Sequence, residues 1–421
     1  MTPDRRNFIA SAGALAAVSP FPARPLRSQD RGRIVVVGGG FGGGTVARFL
    51  AVAGHDVTLV ERNATFSTCP FSNTVLGGLN DMSAIAFNMK GLAAAGVTVI
   101  RREATGVDPD NRQLQLAGDS SLPYDRLVLS PGIEMQFDDL PGYDDAAAQI
   151  MPHAWQAGPQ TAILRSQLEA MDDGGTVVIA PPEYPFRCPP GPYERASLIA
   201  WYLKNEKPRS KILILDTRDS FSKQALFEEA WTALYPGMID WVGLSRGGRV
   251  VEVDPDTMTI ITDFEQFEAD VANIIPLQRA GAIARAAGVT DRTGWCPVAP
   301  DTFESMLVPG IHVIGDACLA GAMPKSGFSA NAQGKVVAAA IDAILRGEAL
   351  QSPKLINTCY SLAAPDYGFS VAGVYEVVGG ELVSVEGSGG VSPTGAAPEV
   401  RAAEADYARA WYRTITHQIW G

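Results

Sequence analysis

The feature that most constrains the fold of this chain is a strand–turn–helix–strand segment near its beginning. Residues 33–37 form a short apolar, β-branched run, and residues 38–43, Gly-Gly-Gly-Phe-Gly-Gly, then fit the pattern GxGxxG. A helical pattern over residues 45–52 leads to a second strand, residues 56–60, that ends at an acid. This order within about 30 residues predicts dinucleotide binding, with the pyrophosphate at the helix N-terminus and the acid on the ribose. The residues predicted to bind the cofactor here are Gly38, Gly40, Gly43, Glu61 and Arg62.

Two later segments favour a flavin over a nicotinamide. Residues 124–132 read as a strand that runs into a Pro-Gly turn, and residues 310–317 read as a strand that ends in Gly-Asp. Both resemble the later flavin-domain motifs of the glutathione reductase-like superfamily. In that superfamily the Asp of the second of these motifs hydrogen-bonds the ribityl chain. The resemblance adds Pro131, Gly132, Gly315 and Asp316 to the predicted FAD site.

The segment between these motifs repeats the strand pattern but lacks the glycine turn. Residues 175–180 and 211–215 read as strands, residues 197–203 between them read as a helix, and the second strand is followed by Asp216. Where a nicotinamide-binding domain would have GxGxxG, residues 181–192 contain six prolines and Cys188. Proline has no N–H to offer a pyrophosphate and lacks the freedom of a tight glycine turn. The pattern therefore predicts a degenerate NAD-binding-like domain and argues against NAD(P)H as the reductant.

These segments predict an α/β fold class, with two Rossmann-like dinucleotide-binding domains and a C-terminal α+β interface domain. The FAD domain is expected to be split in sequence by the second domain. The last helical pattern has an apolar face that either packs on the body or docks a partner. The predicted limits are 1–30 for a leader, 31–145 and 275–345 for the FAD-binding domain, 146–274 for the degenerate domain and 346–421 for the C-terminal domain.

Charge and the leader bear on partners and compartment. The formal net charge of −12 speaks against a general nucleic-acid binder, and four widely separated histidines predict no metal site. Arg5-Arg6 precedes a mild apolar run over residues 9–18, which resembles a twin-arginine export signal and predicts a periplasmic protein. That run is shorter than the roughly 20 residues that span a bilayer, so no transmembrane segment is expected.

An exported chain with five cysteines raises the question of how they pair. In an oxidising compartment disulfides persist, and five cysteines allow two bridges and one remaining thiol, in 15 arrangements. There is no CxxC and no CxxCH, so a thioredoxin-type pair and a c-type haem on this chain are not expected. A flavin beside cysteines, without a nicotinamide site, indicates thiol or sulfide redox chemistry, since a disulfide accepts a sulfur nucleophile and passes two electrons to the flavin.

Four long segments in the same order strengthen this interpretation. They are residues 68–78 (TCPFSNTVLGG), 186–195 (FRCPPGPYER), 323–335 (MPKSGFSANAQGK) and 357–361 (NTCYS). All four resemble the flavoprotein subunit of flavocytochrome c sulfide dehydrogenase, and the likeness runs from about residue 31 to the C-terminus. The resemblance implies FAD bound covalently through Cys69, a redox disulfide between Cys188 and Cys359, and Glu194 as the proton acceptor. A salt bridge with Arg195 or another base is the competing role for Glu194.

Further residues follow from the same segments. Lys325, with Ser326 and Gly327, stands at the start of a predicted helix over residues 329–345 whose positive N-terminus would stabilise an anionic reduced flavin. Arg187 and Arg195, next to a cysteine, would favour a thiolate or form ordinary ion pairs. The two cysteines that the resemblance leaves unassigned form either a structural bridge or two buried thiols; they are Cys296 and Cys318.

The sequence thus predicts an exported FAD-dependent sulfide dehydrogenase that oxidises sulfide to sulfur or polysulfide and passes electrons to a c-type cytochrome subunit carrying the haem. The first alternative is a sulfide:quinone oxidoreductase. The second is an accessory flavoprotein that binds a sulfur-carrier protein of a thiosulfate-oxidising system. An NADH-dependent disulfide reductase is disfavoured because the second domain lacks its glycine motif.

Overall fold

The computed structural model of the protein describes residues 32–421, so the predicted leader lies outside the described residues. The helices in this range are α1 (Phe41–Val52), α2 (Ser72–Leu76), α3 (Lys90–Ala94), α4 (Ala147–Ile150), α5 (Pro159–Ala170), α6 (Gly191–Glu206), α7 (Gln224–Leu234), α8 (Ala282–Ala286), α9 (Gly327–Arg346) and α10 (Pro398–Trp420). Short 3-10 turns cover Met82–Ile85, Leu244–Arg246 and Gly315–Ala317.

The strands alternate with these helices along most of the chain. In the first half they are β1 (Arg33–Val37), β2 (Asp56–Val60), β3 (Thr65–Ser67), β4 (Ala86–Asn88), β5 (Thr98–Ile100), β6 (Ala104–Asp108), β7 (Gln113–Leu116), β8 (Ser120–Pro123), β9 (Arg126–Leu129), β10 (Ile133–Gln136), β11 (Thr176–Ala180) and β12 (Lys211–Leu215). In the second half they are β13 (Ile239–Val242), β14 (Val250–Asp254), β15 (Thr259–Thr262), β16 (Gln266–Glu268), β17 (Val271–Ile274), β18 (Leu277–Ala280), β19 (Cys296–Pro297), β20 (Ile311–Val313), β21 (Cys318–Leu319), β22 (Lys354–Ala364), β23 (Tyr367–Val378), β24 (Glu381–Ser384) and β25 (Gly390–Val391).

The first large sheet is parallel and has the strand order β20-β9-β1-β2-β5. Its central strands β1 and β9 are apolar after their first residue, as is usual where helices cover both faces of a parallel sheet. Strand β20 comes from late in the chain but pairs with β9, with Ile311 opposite Leu127. Helices α1 and α9 pack against each other, and a Cβ on Gly334 would lie 2.8 Å from the carbonyl oxygen of Gly42. The sheet therefore joins the two sequence segments predicted to form the flavin domain.

The second large sheet is also parallel and has the order β13-β12-β11-β17. Its apolar core includes Ile179, Ile214 and residues from α5, α6 and α7. Two parallel Rossmann-like sheets confirm the predicted fold class. The domain limits at residues 145, 274 and 345 stay predictions.

The C-terminal segment forms an antiparallel sheet and a long helix. Strands β22, β23 and β24 are neighbours in this sheet, and β22 also contacts α6 and α9. In α10, Ile415 and Ile419 are buried, whereas Tyr407 is 60% exposed. The apolar face predicted for this helix therefore packs on the body along its last turns and is open to solvent at Tyr407.

Two helices start earlier in the structure than the sequence pattern predicted. Helix α1 starts at Phe41, inside the glycine run, and α6 starts at Gly191, directly after the proline-rich loop. Glycine and proline are poor interior helix formers, so the pattern placed both starts too late. Proline is tolerated in the first helical turn because its missing N–H has no partner there, and Pro192 occupies that place in α6.

Candidate active site

One large cavity, of about 950 Å³, lies where the glycine turn after β1, the end of β9 and the start of α9 meet. This volume is at the upper end of the roughly 300–1,000 Å³ usual for cofactor and ligand pockets. In an α/β sheet of this kind ligands bind beyond the carboxyl ends of the strands. The predicted site residues that line the cavity are Gly38, Gly40, Glu61, Arg62, Cys69, Pro131, Gly132, Cys188, Glu194, Gly315, Asp316, Lys325, Ser326, Gly327 and Cys359.

The glycine turn has no room for side chains. Gly38 has φ +94°, and a Cβ there would lie 2.3 Å from the carbonyl oxygen of Ser130. Gly43 does not line the cavity, but a Cβ on it would lie 2.0 Å from the carbonyl oxygen of Gly38. Gly40 caps α1 without a side chain, which leaves the helix N-terminus accessible to an anion. The predicted glycines therefore permit the tight turn that a pyrophosphate requires.

Glu61 follows β2 at the edge of the cavity and is fixed by the backbone. Its Oε2 accepts a hydrogen bond from the Gly39 N–H at 2.9 Å, and its Oε1 accepts one from the Asn63 N–H at 2.9 Å. Arg62 is largely exposed and lies 3.5 Å from Glu103 in a surface ion pair. Glu61 thus has a defined orientation beside the glycine turn, whereas Arg62 lies at the rim.

Buried polar atoms without a protein partner test whether FAD fits this cavity. Asp316 Oδ1 and Trp155 Nε1 both line it, are buried and have no hydrogen-bond partner among residues 32–421. Buried polar atoms are nearly always hydrogen-bonded, so an unpaired acceptor and an unpaired donor require a ligand or solvent. A carboxylate oxygen at Asp316 matches a hydroxyl of a ribityl chain. Together with the glycine turn, these residues fit FAD.

Lys325 and Ser326 organise the start of α9. Lys325 Nζ donates to the carbonyl oxygens of Asp316 at 2.8 Å and Cys318 at 2.7 Å and lies 4.0 Å from the centroid of the Trp295 ring. Burial lowers the pKa of Lys325. Ser326 Oγ accepts from the Ser329 N–H at 3.0 Å as the N-cap of α9. The predicted lysine is therefore a partly buried part of the cavity wall.

The N-cap of α9 also connects to one of the predicted redox cysteines. Ser326 Oγ donates to Asn357 Oδ1 at 2.7 Å, and Asn357 Nδ2 donates to Cys359 Sγ at 3.2 Å. Cys359 lies in the middle of β22, opposite Val371. The side chain of Asn357 thus aims a donor at the Cys359 sulfur.

Cys188 lies in the turn that leads into α6. Its φ is +53°, its N–H donates to the Lys325 carbonyl at 2.9 Å, and its own carbonyl accepts from the Gly191 N–H at 2.8 Å. A side chain on Gly191 would meet Cys188 Sγ at 3.1 Å and the Trp155 ring at 2.6 Å. Burial, and then the charge of Cys359, raise the pKa of the Cys188 thiol. The turn therefore holds this sulfur at the cavity wall near Cys359.

Each of the five cysteines is a free thiol in the structure. The Cys188–Cys359 disulfide implied by the resemblance is not present as a bond and stays a prediction. Cys296 and Cys318 are buried neighbours on paired strands β19 and β21, and burial raises the pKa of these thiols to about 12 and about 11. Their proposed bridge likewise stays a prediction.

Glu194 lies in the first turn of α6 and faces the same cavity. Its Oε2 accepts from Asn73 Nδ2 at 2.8 Å and its Oε1 accepts from the Leu362 N–H at 2.9 Å. Burial raises the pKa of Glu194. No ion pair joins Glu194 to Arg195 among the residues that the structure describes. A carboxyl group with a raised pKa beside two thiols is suited to accept and return protons.

Arg195 instead serves a structural role. Its guanidinium donates to Asn73 Oδ1 at 3.1 Å, Asn273 Oδ1 at 2.8 Å and the carbonyl oxygens of His153 at 2.9 Å and Ala154 at 2.6 Å. Only 2% of Arg195 is exposed. The competing interpretation, an ion pair with Glu194, is wrong because neutral oxygens occupy the guanidinium.

Cys69 lies on the loop before α2 and has a cation as its direct neighbour. Arg187 Nη2 donates to Cys69 Sγ at 2.7 Å, and Arg187 Nη1 lies 3.5 Å from Asp316 Oδ2. The arginine predicted to act on Cys188, the next residue in the chain, therefore contacts Cys69. The Cys69 sulfur and the Asp316 carboxylate thus share Arg187 as a neighbour at the cavity.

Sequence reasoning missed several residues of this site. Asn73 and Asn357 belong to quoted segments, and their amides now have partners in Glu194 and Cys359. Trp155 and Lys223 carried no recognisable signal, since a single tryptophan or lysine between elements has no characteristic spacing. Only the tertiary structure brings Trp155 to the cavity wall and Lys223 behind it.

The corresponding site in the second sheet is closed by its own side chains. Asp216, at the end of β12, accepts from Tyr193 Oη at 2.5 Å and Trp241 Nε1 at 3.0 Å and pairs with Arg218 at 2.9 Å. The Arg218 guanidinium stacks on Tyr184, 4.7 Å from the ring centroid. The acid that would bind a ribose therefore already has its partners.

The described residues also bear on membranes and metals. In residues 32–421 no helix is both long and apolar enough to cross a bilayer. The same range contains no group of three or more His, Cys, Asp or Glu side chains arranged to hold a metal ion.

The geometry defines a class of protein before any comparison: a flavoprotein oxidoreductase with two dinucleotide-binding folds. Family models match three parts of the chain. They are pyridine nucleotide-disulphide oxidoreductase (residues 32–159), the central part of the sulfide dehydrogenase [flavocytochrome c] flavoprotein chain (residues 161–276) and flavocytochrome c sulphide dehydrogenase, flavin-binding (residues 351–420).

Similar proteins agree with these models. A sulfide dehydrogenase [flavocytochrome c] flavoprotein chain from Chlorobaculum thiosulfatiphilum is 56% identical over 45 residues, which cover 10% of this chain and 94% of that sequence. A mitochondrial sulfide:quinone oxidoreductase from Dictyostelium discoideum is 21% identical over 332 residues, 74% of this chain and 70% of the relative. The chain belongs to the family of the flavocytochrome c sulfide dehydrogenase flavoprotein chains.

Among solved structures, the sulfide:quinone oxidoreductase of Aquifex aeolicus superposes with a TM-score of 0.69 at 17% identity. The match covers 92% of each chain. At this identity the likeness shows the fold alone, that of FAD-dependent disulfide oxidoreductases.

Proposed function

We propose that this protein oxidises sulfide with bound FAD and that the sulfur atoms of Cys188 and Cys359 receive the sulfide. The observation that carries the proposal is that both cysteines and Glu194 line the cavity whose glycine turn and Asp316 fit FAD. Family membership supports sulfide as the substrate, because the matching models describe a sulfide dehydrogenase.

The proposed chemistry starts from a Cys188–Cys359 disulfide. Hydrosulfide attacks one sulfur, a persulfide forms on that cysteine, the S–S bond breaks and the other cysteine leaves as a thiolate. Raised pKa at Cys188 and the Asn357 donor at Cys359 favour Cys359 as the leaving thiolate, so sulfide attacks Cys188. Glu194 accepts the proton that the bound sulfur loses. When bound, FAD would supply the two-electron acceptor that lets Cys188 and Cys359 rejoin as the disulfide, while the outer sulfur of the persulfide leaves as sulfur or polysulfide.

We also propose that Cys69 holds FAD covalently. Arg187 supports this role, since its contact with the Cys69 sulfur favours the thiolate that bond formation needs. The second contact of Arg187, with Asp316, would align the two groups on the same ligand. Glu61 and the glycine turn would hold the nucleotide part.

The proposed electron acceptor is a c-type cytochrome subunit that carries the haem. The description of the Chlorobaculum relative as the flavoprotein chain of a flavocytochrome c supports this partner, and a net charge of −12 favours a basic one. A sulfur-carrier protein is the alternative partner, and a pull-down with each candidate separates the two.

We propose export to the periplasm on the Arg5-Arg6 leader, which secretion of a reporter fused to residues 1–30 would test.

A quinone is the competing electron acceptor, since the fold is shared with sulfide:quinone oxidoreductases. Reoxidation of the sulfide-reduced protein decides between them. A fast reaction with cytochrome c and none with a soluble quinone supports the flavocytochrome type, and the reverse supports the rival.

The proposed function is tested by anaerobic titration of the purified protein with sulfide while the flavin absorbance is followed. The wild type should bleach, and Cys188→Ser should bleach about 100-fold more slowly or worse, because the bridge cannot form. Cys296→Ala is the control, since Cys296 is buried outside the cavity. Bleaching of Cys188→Ser at the wild-type rate would refute the disulfide route.

A further inference from the structure

A lysine outside the predicted site lies directly behind Cys359. Lys223 is the N-cap residue of α7, with φ +62°, and its side chain is partly buried. Its Nζ donates to the carbonyl oxygen of Cys359 at 2.8 Å and to Ser361 Oγ at 2.8 Å. Lys223 does not line the cavity, so it reaches the cysteine from the protein side.

The charge of Lys223 has no carboxylate in direct contact. None of the ion pairs found in residues 32–421 includes it, and its two hydrogen bonds go to neutral oxygens. The titratable groups that face it are Cys359 on β22, Glu194 on α6, Cys188 in the loop before α6 and Glu404 on α10. Burial lowers the pKa of Lys223, and the charge of Cys359 opposes that effect most strongly.

The other charged groups near Cys359 cannot stabilise a thiolate there. Glu194 and Glu404 are acids, and Glu404 already accepts hydrogen bonds from Ser392. Arg187 contacts Cys69 and Asp316 instead. Lys223 is therefore the cation that responds when a negative charge appears on Cys359.

We propose that Lys223 is a positioning residue whose charge stabilises the Cys359 thiolate released when the Cys188–Cys359 disulfide opens. The inference rests on the proposed function for its role in turnover. In the step concerned, hydrosulfide forms an S–S bond with Cys188, the Cys188–Cys359 bond breaks, and its electron pair goes to Cys359 Sγ, in the residue whose carbonyl oxygen Lys223 contacts. Oxidation states balance within the three sulfur atoms, so no further oxidant takes part in this step.

Thiol reactivity of the reduced protein tests this role without sulfide. The protein is reduced with dithiothreitol, desalted under argon and alkylated with iodoacetamide at a series of pH values, and the Cys359 peptide is quantified by mass spectrometry. A neighbouring positive charge favours the ionised, reactive form of a thiol. Lys223→Met should therefore slow alkylation of Cys359 at pH 7 about tenfold or more, while Lys223→Arg stays within about threefold of the wild type.

Lys204→Met is the matched control. Lys204 lies in the last turn of α6, and its Nζ donates to the carbonyl oxygen of Leu234 at 2.9 Å. Leu234 is the last residue of α7, whereas Lys223 caps the start of that helix, so this change removes a lysine far from the cysteines. If Lys223→Met does not fold, Lys223→Gln, which keeps a donor without the charge, is measured by the same criterion.

Alkylation of Cys359 at the wild-type rate in Lys223→Met would overturn the proposal. The readout separates this inference from the proposed function, because thiol reactivity is independent of sulfide turnover. A protein that does not oxidise sulfide can still show the Lys223 effect, and a working sulfide dehydrogenase can lack it.

Discussion

Cys69 and Cys188 line the same cavity but have different neighbours. Cys69 has the Arg187 guanidinium at 2.7 Å, whereas burial and the charge of Cys359 raise the pKa of Cys188. The Cys359 sulfur accepts a hydrogen bond from the Asn357 amide. Surroundings rather than residue type thus distinguish the sulfur that we propose to bind FAD covalently from the pair that we propose to exchange sulfur.

At this scale the first prediction concerns Glu194. Its pKa is raised by burial, so the carboxylate form needed to accept a proton is gained as pH rises through that pKa. The ratio of wild-type to Glu194→Gln sulfide turnover should therefore increase with pH and then level off at about 100-fold, within the range typical of a general base. The ratio is measured from steady-state rates, which cancels the titration of sulfide itself.

Glu228→Gln is the control for this profile. Glu228 is exposed on α7 and, among the interactions found in the described chain, bonds only with the Gln224 side chain at 2.8 Å. A flat wild-type to Glu194→Gln ratio across pH would contradict the assignment of Glu194 as proton acceptor.

At the scale of elements, the cavity is built where strands end and helices begin. The starts of α1, α6 and α9 each bring a short loop to the cavity, and each is rich in glycine, proline or serine. These residues permit turns that larger side chains would block, such as the approach of Gly191 to Cys188 and Trp155. The functional side chains therefore have positions set by helix starts.

The second prediction concerns the first of these turns. In Gly43→Ala the new Cβ would lie 2.0 Å from the backbone oxygen of Gly38, which cannot move without opening the turn. We expect a loss of about 1–3 kcal/mol or more in the free energy of unfolding, together with loss of bound flavin. Urea unfolding and the flavin content of the purified variant measure both effects.

Gly390→Ala is the matched control, because a Cβ there has no atom within 4 Å and Gly390 does not have positive φ. Equal stability and equal flavin content of the two variants would mean that the glycine turn is not required for cofactor binding.

The sequence predicts elements better where the pattern is periodic or apolar. Strands 33–37 and 56–60 and the closing helix follow from such patterns, whereas the starts of α1 and α6 were placed too late because glycine and proline mask a helix start. Side-chain partners across the chain carry no local signal. Arg187 reaches Cys69, 118 residues away, and Lys223 reaches Cys359, 136 residues away.

At the scale of the whole molecule, distant chain segments enclose one cavity. Its wall includes the glycine turn after β1, the loop before α6, the start of α9 and the middle of β22. The second domain contributes Cys188 from the loop before α6 and Glu194 from α6, whereas the acid at its own nucleotide position, Asp216, is bonded to neighbouring side chains. The molecule thus has the architecture of a two-nucleotide enzyme, and the acid at its second nucleotide position is bonded to its own side chains.

The third prediction follows from this enclosure. A ligand that binds only the folded state stabilises it, by about 2.7 kcal/mol at 100 times its Kd. Cys69→Ala should release its flavin on acid precipitation, and its thermal midpoint should rise when free FAD is added. The wild type should keep yellow colour in the pellet and show no response to added FAD.

Retention of colour in the precipitated Cys69→Ala variant would refute attachment at Cys69. Release of colour from the wild type would leave FAD bound by the cavity alone. A mass spectrum of the peptide that contains Cys69 distinguishes these outcomes directly.

The fourth prediction concerns the closed position at Asp216. Since Tyr193, Trp241 and Arg218 already bind this carboxylate, NADH should not bleach the flavin under anaerobic conditions that permit bleaching by sulfide. Stopped-flow absorbance measures both reactions. Rapid bleaching by NADH would instead favour a nicotinamide-dependent disulfide reductase.

The central claim is that sulfide becomes bonded to the Cys188–Cys359 pair before electrons reach the flavin. The most direct measurement is mass spectrometry of the protein mixed anaerobically with sulfide, quenched within milliseconds with excess iodoacetamide and digested. The account predicts an alkylated persulfide on Cys188 and an alkylated thiol on Cys359, both formed no later than the loss of flavin absorbance. Full flavin reduction with both cysteines still joined and no added sulfur would contradict it.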